Sequence, residues 1–189
     1  HFGITPHNDA CAQAIRIGDG STPVCFISAE TDGFPSSECA ANGLNDIPFD
    51  VWYIYTASCD GFATADLCQA SCDTRLAVYA TDACPSAATP PLVCRDDDCD
   101  LQSRATFNVV SGASYRIRLG GFCRYNGVGT LVMSCAPCPC DWNHAGMLNS
   151  QDFFDFLTSF FANDADFNKS GNTDTQDFAD FVACFTGGC

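Results

Sequence analysis

Two stretches of this chain carry Asp, Asn and Ser at spacings that suit a hard metal ion. In the first, Asp141, Asn143, Gly146, Met147, Asn149 and Asp152 stand at positions 1, 3, 6, 7, 9 and 12 of a twelve-residue loop. In the second, offset by 25 residues, Asp166, Asn168, Ser170, Gly171, Asn172, Asp174 and Asp177 stand at positions 1, 3, 5, 6, 7, 9 and 12. Calcium takes about six to eight oxygens, and a loop of this spacing supplies them from side chains and from the carbonyl at position 7. Glycine at position 6 allows the sharp turn. The spacing predicts two Ca2+ sites, with Met147 and Asn172 lending carbonyl oxygens. Ala145 has no side-chain oxygen at position 5, so water must substitute there and the first site is expected to be weaker. One such loop alone reads equally well as an Asp/Asn-rich turn capping a helix. Two in step, each followed by an apolar helix, favour the metal.

The elements that must hold these loops follow from the pattern beyond them. Asp152 and Asp177 fall at helix starts, where a carboxylate suits the helix dipole. Phe153, Phe156, Leu157 and Phe160 form one apolar stripe, and Phe178, Phe181, Val182 and Phe185 form its copy. The two stripes are expected to face each other. The first helix also carries Phe154 and Phe161, where the second has Ala179 and Thr186. At 100° per residue these two Phe make a second apolar flank. Its readings are packing against the rest of the chain or a docking surface for another protein.

Upstream, the composition changes. Residues 1–135 hold 15 acids, 7 Arg and no Lys, in short β-type runs separated by Gly, Pro, Ser and Asp. Those runs include Val24–Ile27, Val51–Thr56, Arg75–Tyr79, Ala105–Val110, Ser114–Leu119 and Gly129–Met133. Tyr115, Ile117 and Leu119 alternate with Arg116 and Arg118, which predicts a half-buried strand with the arginines outward. The fold class expected is mainly β: a disulfide-rich jelly roll or β-sandwich over residues 1–135. A Pro/Cys linker follows at 136–140, then a small α-helical domain with two EF-hand-type loops at 141–189.

Fifteen cysteines in 189 residues point to an oxidising compartment, and no paired C-x2-C knuckles with His point to zinc. Cys138, Cys140, Cys184 and Cys189 flank the duplicated unit, so bridges among them would clip its ends, in a pairing the sequence leaves open. The eleven upstream cysteines are an odd set, so one is expected to be free or joined to another chain. A net charge of −15 argues against nucleic acid and anionic lipid as partners. No long apolar run predicts a membrane span. If the protein is secreted, as the cysteines suggest, His1 is its expected processed start.

The duplicated loop with Asp at position 12, each copy followed by one helix, resembles a dockerin over residues 138–189. Cys138-x-Cys140-Asp141-Trp142-Asn143, the run Ser150 to Phe156 and the terminal Gly187-Gly188-Cys189 resemble the dockerin-like tails of secreted planctomycete proteins. The resemblance implies non-covalent docking onto a cohesin-like β-sandwich. It places recognition residues at loop positions 10 and 11, here Ser150, Gln151, Thr175 and Gln176. More loosely, residues 8–135 resemble pre-peptidase C-terminal-like β-sandwich domains. That likeness rests on Asn8 to Cys11, Asp50 to Tyr55, Asp73 to Tyr79, Cys94 to Cys99 and Arg118 to Phe122. It implies a non-catalytic, accessory or adhesive role. Asp96, Asp97 and Asp98 could join Asp73 around a further cation, the alternative being a solvated acidic turn.

No catalytic constellation is evident. The three histidines, His1, His7 and His144, lie in no recognisable nucleophile context, and there is no G-x-S-x-G and no phosphate loop. The expectation is a non-enzyme: a calcium-binding extracellular adhesion or assembly module whose tail docks on a β-sandwich partner. A second reading is a self-assembling filament in which the tail docks on the next copy. A third is a polysaccharide-binding or carbohydrate-active protein, with Trp52 and Tyr53 stacking on sugar if exposed, although Trp in a strand is more often core.

Overall fold

The computed structural model describes residues 5–122, 127–145 and 147–188. Its strands are β1 (Ile15–Ile17), β2 (Gly20–Cys25), β3 (Val51–Thr56), β4 (Gly61–Asp66), β5 (Thr74–Tyr79), β6 (Val93–Arg95), β7 (Arg104–Val109), β8 (Ser114–Gly121) and β9 (Val128–Pro137). They form two sheets, ordered β1-β3-β8-β5-β6 and β2-β9-β4-β7. All pairings are antiparallel except β1 with β3. Alternate residues of both sheets point into one shared core. Val51, Tyr53, Leu76, Ile117 and Leu119 come from the first sheet, and Ala63, Ala65, Phe107, Leu131 and Met133 from the second. Each large side chain buried this way contributes about 1.5–3 kcal/mol. The chain is therefore a disulfide-rich β-sandwich with two helices behind it.

The sandwich departs from the expected half-buried pattern on β8. Arg116 and Arg118 do point away from the core, but they are 5% and 1% exposed. The reason is a cover of long loops over the outer face of the five-stranded sheet. Arg118 donates to the Asp50 carboxylate and to the carbonyls of Gly33, Phe34 and Ile47. Arg116 donates to the carbonyls of Cys11 and Asp82. Each guanidinium thus ties loop backbone carbonyls to the sheet, although Nε of Arg116 is buried without a hydrogen-bond partner. Removing one partner of a buried pair such as Arg118–Asp50 costs about 3–5 kcal/mol. Two disulfides, Cys11–Cys84 and Cys39–Cys94, fasten the same loops. Cys59–Cys135 and Cys68–Cys99 staple other turns. Among the described residues Cys25 and Cys72 are unbridged, and Cys123 lies outside them.

Strand β9 runs on through Ala136 and Pro137, which pair with Phe62 and Gly61 of β4. Those two residues, expected in the linker, are thus sheet, because the backbone keeps its ladder until the turn at Cys138. Helices α1 (Ser150–Phe161) and α2 (Thr175–Gly187) follow. Cys140–Cys184 joins the entry of this tail to α2, and Cys138 is also disulfide-bonded. Cys189 lies outside the described residues.

The helices meet through the two Phe stripes. Phe156 and Phe181, equivalent in the two copies, stack with centroids 3.9 Å apart. Phe153–Phe185 and Phe160–Phe178 both sit at 5.7 Å, with interplanar angles of 47° and 51°. The repeat thus folds as a pseudo-two-fold pair with its axis near the Phe156–Phe181 stack. Phe62, on the outer side of β4, packs into this cluster and ties it to the sandwich. No helix among the described residues is long and apolar enough to cross a membrane.

Candidate functional site

The two loops share the bonds that hold positions 1, 3 and 12. At position 12, Asp177 accepts from the backbone N–H of Asn168 at 3.0 Å and of Asp174 at 2.8 Å. Asp152 accepts from the N–H of Asn143 at 3.3 Å and of Asn149 at 2.8 Å. Both carboxylates are buried. Each also closes a capping box, with Asn149 and Asp174 as the N-caps of α1 and α2. Backbone N–H groups, first that of Asn168 and then that of Asp174, hold the Asp177 carboxyl below the usual carboxylate range.

Positions 1 and 3 turn their oxygens toward one point. Oδ1 of Asp166 and Oδ1 of Asn168 both accept from the N–H of Ser170, at 2.8 and 3.0 Å. In the first copy Asp141 and Asn143 accept from the N–H of Ala145, at 3.0 and 2.9 Å. Asp166 also accepts from Gly171 at 2.7 Å; the equivalent Gly146 lies outside the described residues. Gly171 has φ 95°, and a Cβ there would meet nothing within 4 Å, so its role is the turn itself. Position 4 takes the same left-handed backbone in both copies, at His144 and Lys169. The His144 side chain is well exposed, with Nδ1 3.9 Å from Asp60.

One layer of this arrangement was absent from the expected ligands. Asp155 and Asp180, three residues past position 12, each accept from the Asn at position 3, at 3.3 Å in both copies. They also accept from Gln151 and Gln176, at 2.8 Å in both. Because they take the amide Nδ2, they fix which atom of Asn143 and Asn168 faces inward, and it is the oxygen. Their recurrence at the 25-residue offset is the signal that could have found them. It also means that Gln151 and Gln176 are tied to their own helices, while Ser150 and Thr175 are exposed at the helix starts. A polar cleft of about 310 Å³ opens beside the second loop, lined by Asp164, Asp166, Asn172 and Thr173 among others. Chemically, each loop carries hard side-chain oxygens at positions 1, 3, 9 and 12, several of them accepting from backbone N–H donors, which is the donor type a divalent cation takes.

The copies differ where position 7 is held. Ser170 donates its hydroxyl to the Asn172 carbonyl at 3.4 Å. Ala145 cannot do this, and Asn149 instead donates its amide to the Met147 carbonyl at 3.0 Å. They differ again on the helices. Phe154 is 58% exposed and Phe161 81%, each meeting only a neighbouring Phe edge-to-face among the ring contacts. The flank they form is turned to solvent.

On the sandwich, carboxylate oxygens of Asp73, Asp96 and Asp97 come within 4.8 Å of one another. Asp96 pairs with Arg75 at 2.9 Å, while Oδ1 of Asp73 and Oδ1 of Asp96 are buried without a hydrogen-bond partner. Burial, then Asp96 and Asp97, push the Asp73 carboxyl up, with Arg75 opposing. Asp98 is turned toward Arg95, at 3.9 Å, and takes no part in the group. Trp52 and Tyr53 are 1% and 2% exposed, so both are buried and not displayed on the outer surface as the sequence suggested. Trp52 lies under the loops, donating to Asp32 at 2.6 Å with Arg118 over its ring.

No family model matches the chain, and no curated protein matches it. Among solved structures, the pre-peptidase C-terminal domain of a collagenase from Bacillus anthracis aligns with a TM-score of 0.42 and 9% identity, covering 64% of this chain and 94% of that one. A periplasmic inhibitor of g-type lysozyme from Aeromonas hydrophila aligns with a TM-score of 0.39 and 13% identity, covering 64% and 96%.

Proposed function

We propose that the chain is a secreted, non-catalytic assembly or adhesion module, whose dockerin-like tail binds two calcium ions and docks on the β-sandwich of a partner protein. In the first loop the ligands are Asp141, Asn143, Met147, Asn149 and Asp152. In the second they are Asp166, Asn168, Ser170, Asn172, Asp174 and Asp177. The observation that carries the docking is the solvent-facing pair Phe154 and Phe161 on an otherwise symmetric unit. Their equivalents by the repeat, Ala179 and Thr186, are small or polar, so the pseudo-two-fold core does not need them. Exposed aromatics beside an ordered polar rim are what a protein interface uses as anchors. A net charge of −15 makes two copies repel, which favours a different protein over a second copy.

Calcium would neutralise the loop carboxylates and fix the start of α1, and with it the direction of the Phe flank. The test is sedimentation and calorimetry of the full chain against a panel of cohesin-type domains, in calcium and in EDTA. Binding that requires calcium and is lost in a Phe154→Ser/Phe161→Ser variant that still folds supports the reading. A blank panel, binding that persists in EDTA, or binding that survives the double substitution overturns it. Calcium-dependent self-association of the chain alone would make the next copy the occupant and turn the reading into the filament.

A further inference from the structure

We infer that the loop-covered face of the sandwich holds a binding site for a neutral sugar, in the cleft walled by Phe34 and Glu38 on one side and by Ser86 and Thr89 on the other. The cleft encloses about 310 Å³, the lower end of the ~300–1,000 Å³ usual for small-ligand sites. Its floor is Trp52 and Tyr79, buried rings with centroids 6.3 Å apart.

Both walls are loops, and both are pinned. The Phe34 wall is held from beneath by Arg118, which donates to the Phe34 carbonyl at 2.7 Å and to the Gly33 carbonyl at 3.1 Å. Just past Glu38 it is fastened by Cys39–Cys94. The opposite wall begins beside Cys84, bridged to Cys11. There Thr89 accepts from the Ser86 N–H at 3.1 Å, and the two hydroxyls lie 3.0 Å apart. Loops free to move would collapse onto exposed apolar surface. These are held open, so the ordering cost of binding is met in advance.

The lining decides the ligand class. It contains no Lys or Arg and carries Glu38, which disfavours phosphate and carboxylate ligands. Phe34 is 50% exposed and presents an apolar ring. Around it stand hydroxyls and one carboxylate, Glu38, which makes no ion pair among the described residues. An apolar plate ringed by hydrogen-bonding groups matches a pyranose, which has a C–H face and a rim of hydroxyls. The site differs from the sugar face expected from the sequence, since Trp52 is its floor and Tyr53 takes no part.

The test is backbone NMR of the full chain titrated with glucose, galactose, mannose and cellobiose, with choline as the cationic control. The expected result is saturable shifts at residues 34–38 and 85–89 with at least one sugar. A Phe34→Ala variant should weaken binding at least tenfold while its calcium titration stays unchanged. The inference fails if no sugar shifts those residues or if Phe34→Ala binds as tightly as the parent chain. Choline shifting them in place of the sugars would assign the cleft to cations and overturn it as well.

Discussion

The two copies of the loop–helix unit share one skeleton and differ in what they have to spare. In both, a buried Asp at position 12 takes two N–H groups, and an Asn at position 3 is oriented by an Asp on the helix. The second copy spends a hydroxyl, Ser170, on the position-7 carbonyl and keeps a carboxylate, Asp174, at position 9. The first has lost that hydroxyl at Ala145 and uses the position-9 amide of Asn149 in its place. Loop one therefore offers two carboxylates where loop two offers three. Since ligand charge tunes affinity in such loops, the proposed weaker first site has two causes, a missing ligand and a missing charge. What the first copy has gained is the Phe154 and Phe161 flank. Duplication leaves one copy free to diverge at its surface while both keep the loop skeleton.

The largest expected effect comes from removing position 12. Asp177→Asn should abolish the tighter calcium event, by ~100-fold or more, because a charged ligand and the anchor of the loop go together. Asp152→Asn should remove only the weaker event. If either variant loses both events, the copies are one coupled site and the comparison breaks. A smaller effect tests the charge account. Asn149→Asp gives the first loop its third carboxylate and should tighten the weaker event by about tenfold, or ~1.4 kcal/mol. An unchanged affinity would mean that the amide's hold on the Met147 carbonyl matters more than charge. The smallest effect is on pH. The Asp177 carboxyl is held below its ordinary range, so its contribution is complete above the unfolded value of about 3.9 and is lost as pH falls through the lower folded value. Circular dichroism of the calcium-free chain should show α2 helicity falling in that acid window, and calcium should move the fall lower. A flat profile would remove Asp177 as the organising group.

These loops were legible in the sequence because their chemistry is local: twelve residues fix the oxygens, and the repeat at 25 doubles the signal. The roles of Asp155 and Asp180 were not, although the residues recur at the same offset, because they act from the next helix turn on the amide side of the position-3 Asn. The strands with alternating large residues were legible too, whereas β4 was not. Its inward residues are Ala63 and Ala65, too small and too weakly β-forming to stand out. Arg116 and Arg118 read as solvent-facing because alternation reports the sheet alone. Their burial comes from residues 26–50 and 80–92, loops long enough to fold back over the sheet. The sugar cleft shares that origin: its walls come from two loops about fifty residues apart, and no local pattern joins them.

Two unequal calcium sites in the repeat underlie every proposal for the tail. Isothermal calorimetry of the full chain, stripped with EDTA and titrated with calcium, tests for them most directly. Two saturable events of different affinity are expected, the tighter one missing in Asp177→Asn. One event, none, or two of equal affinity would contradict this.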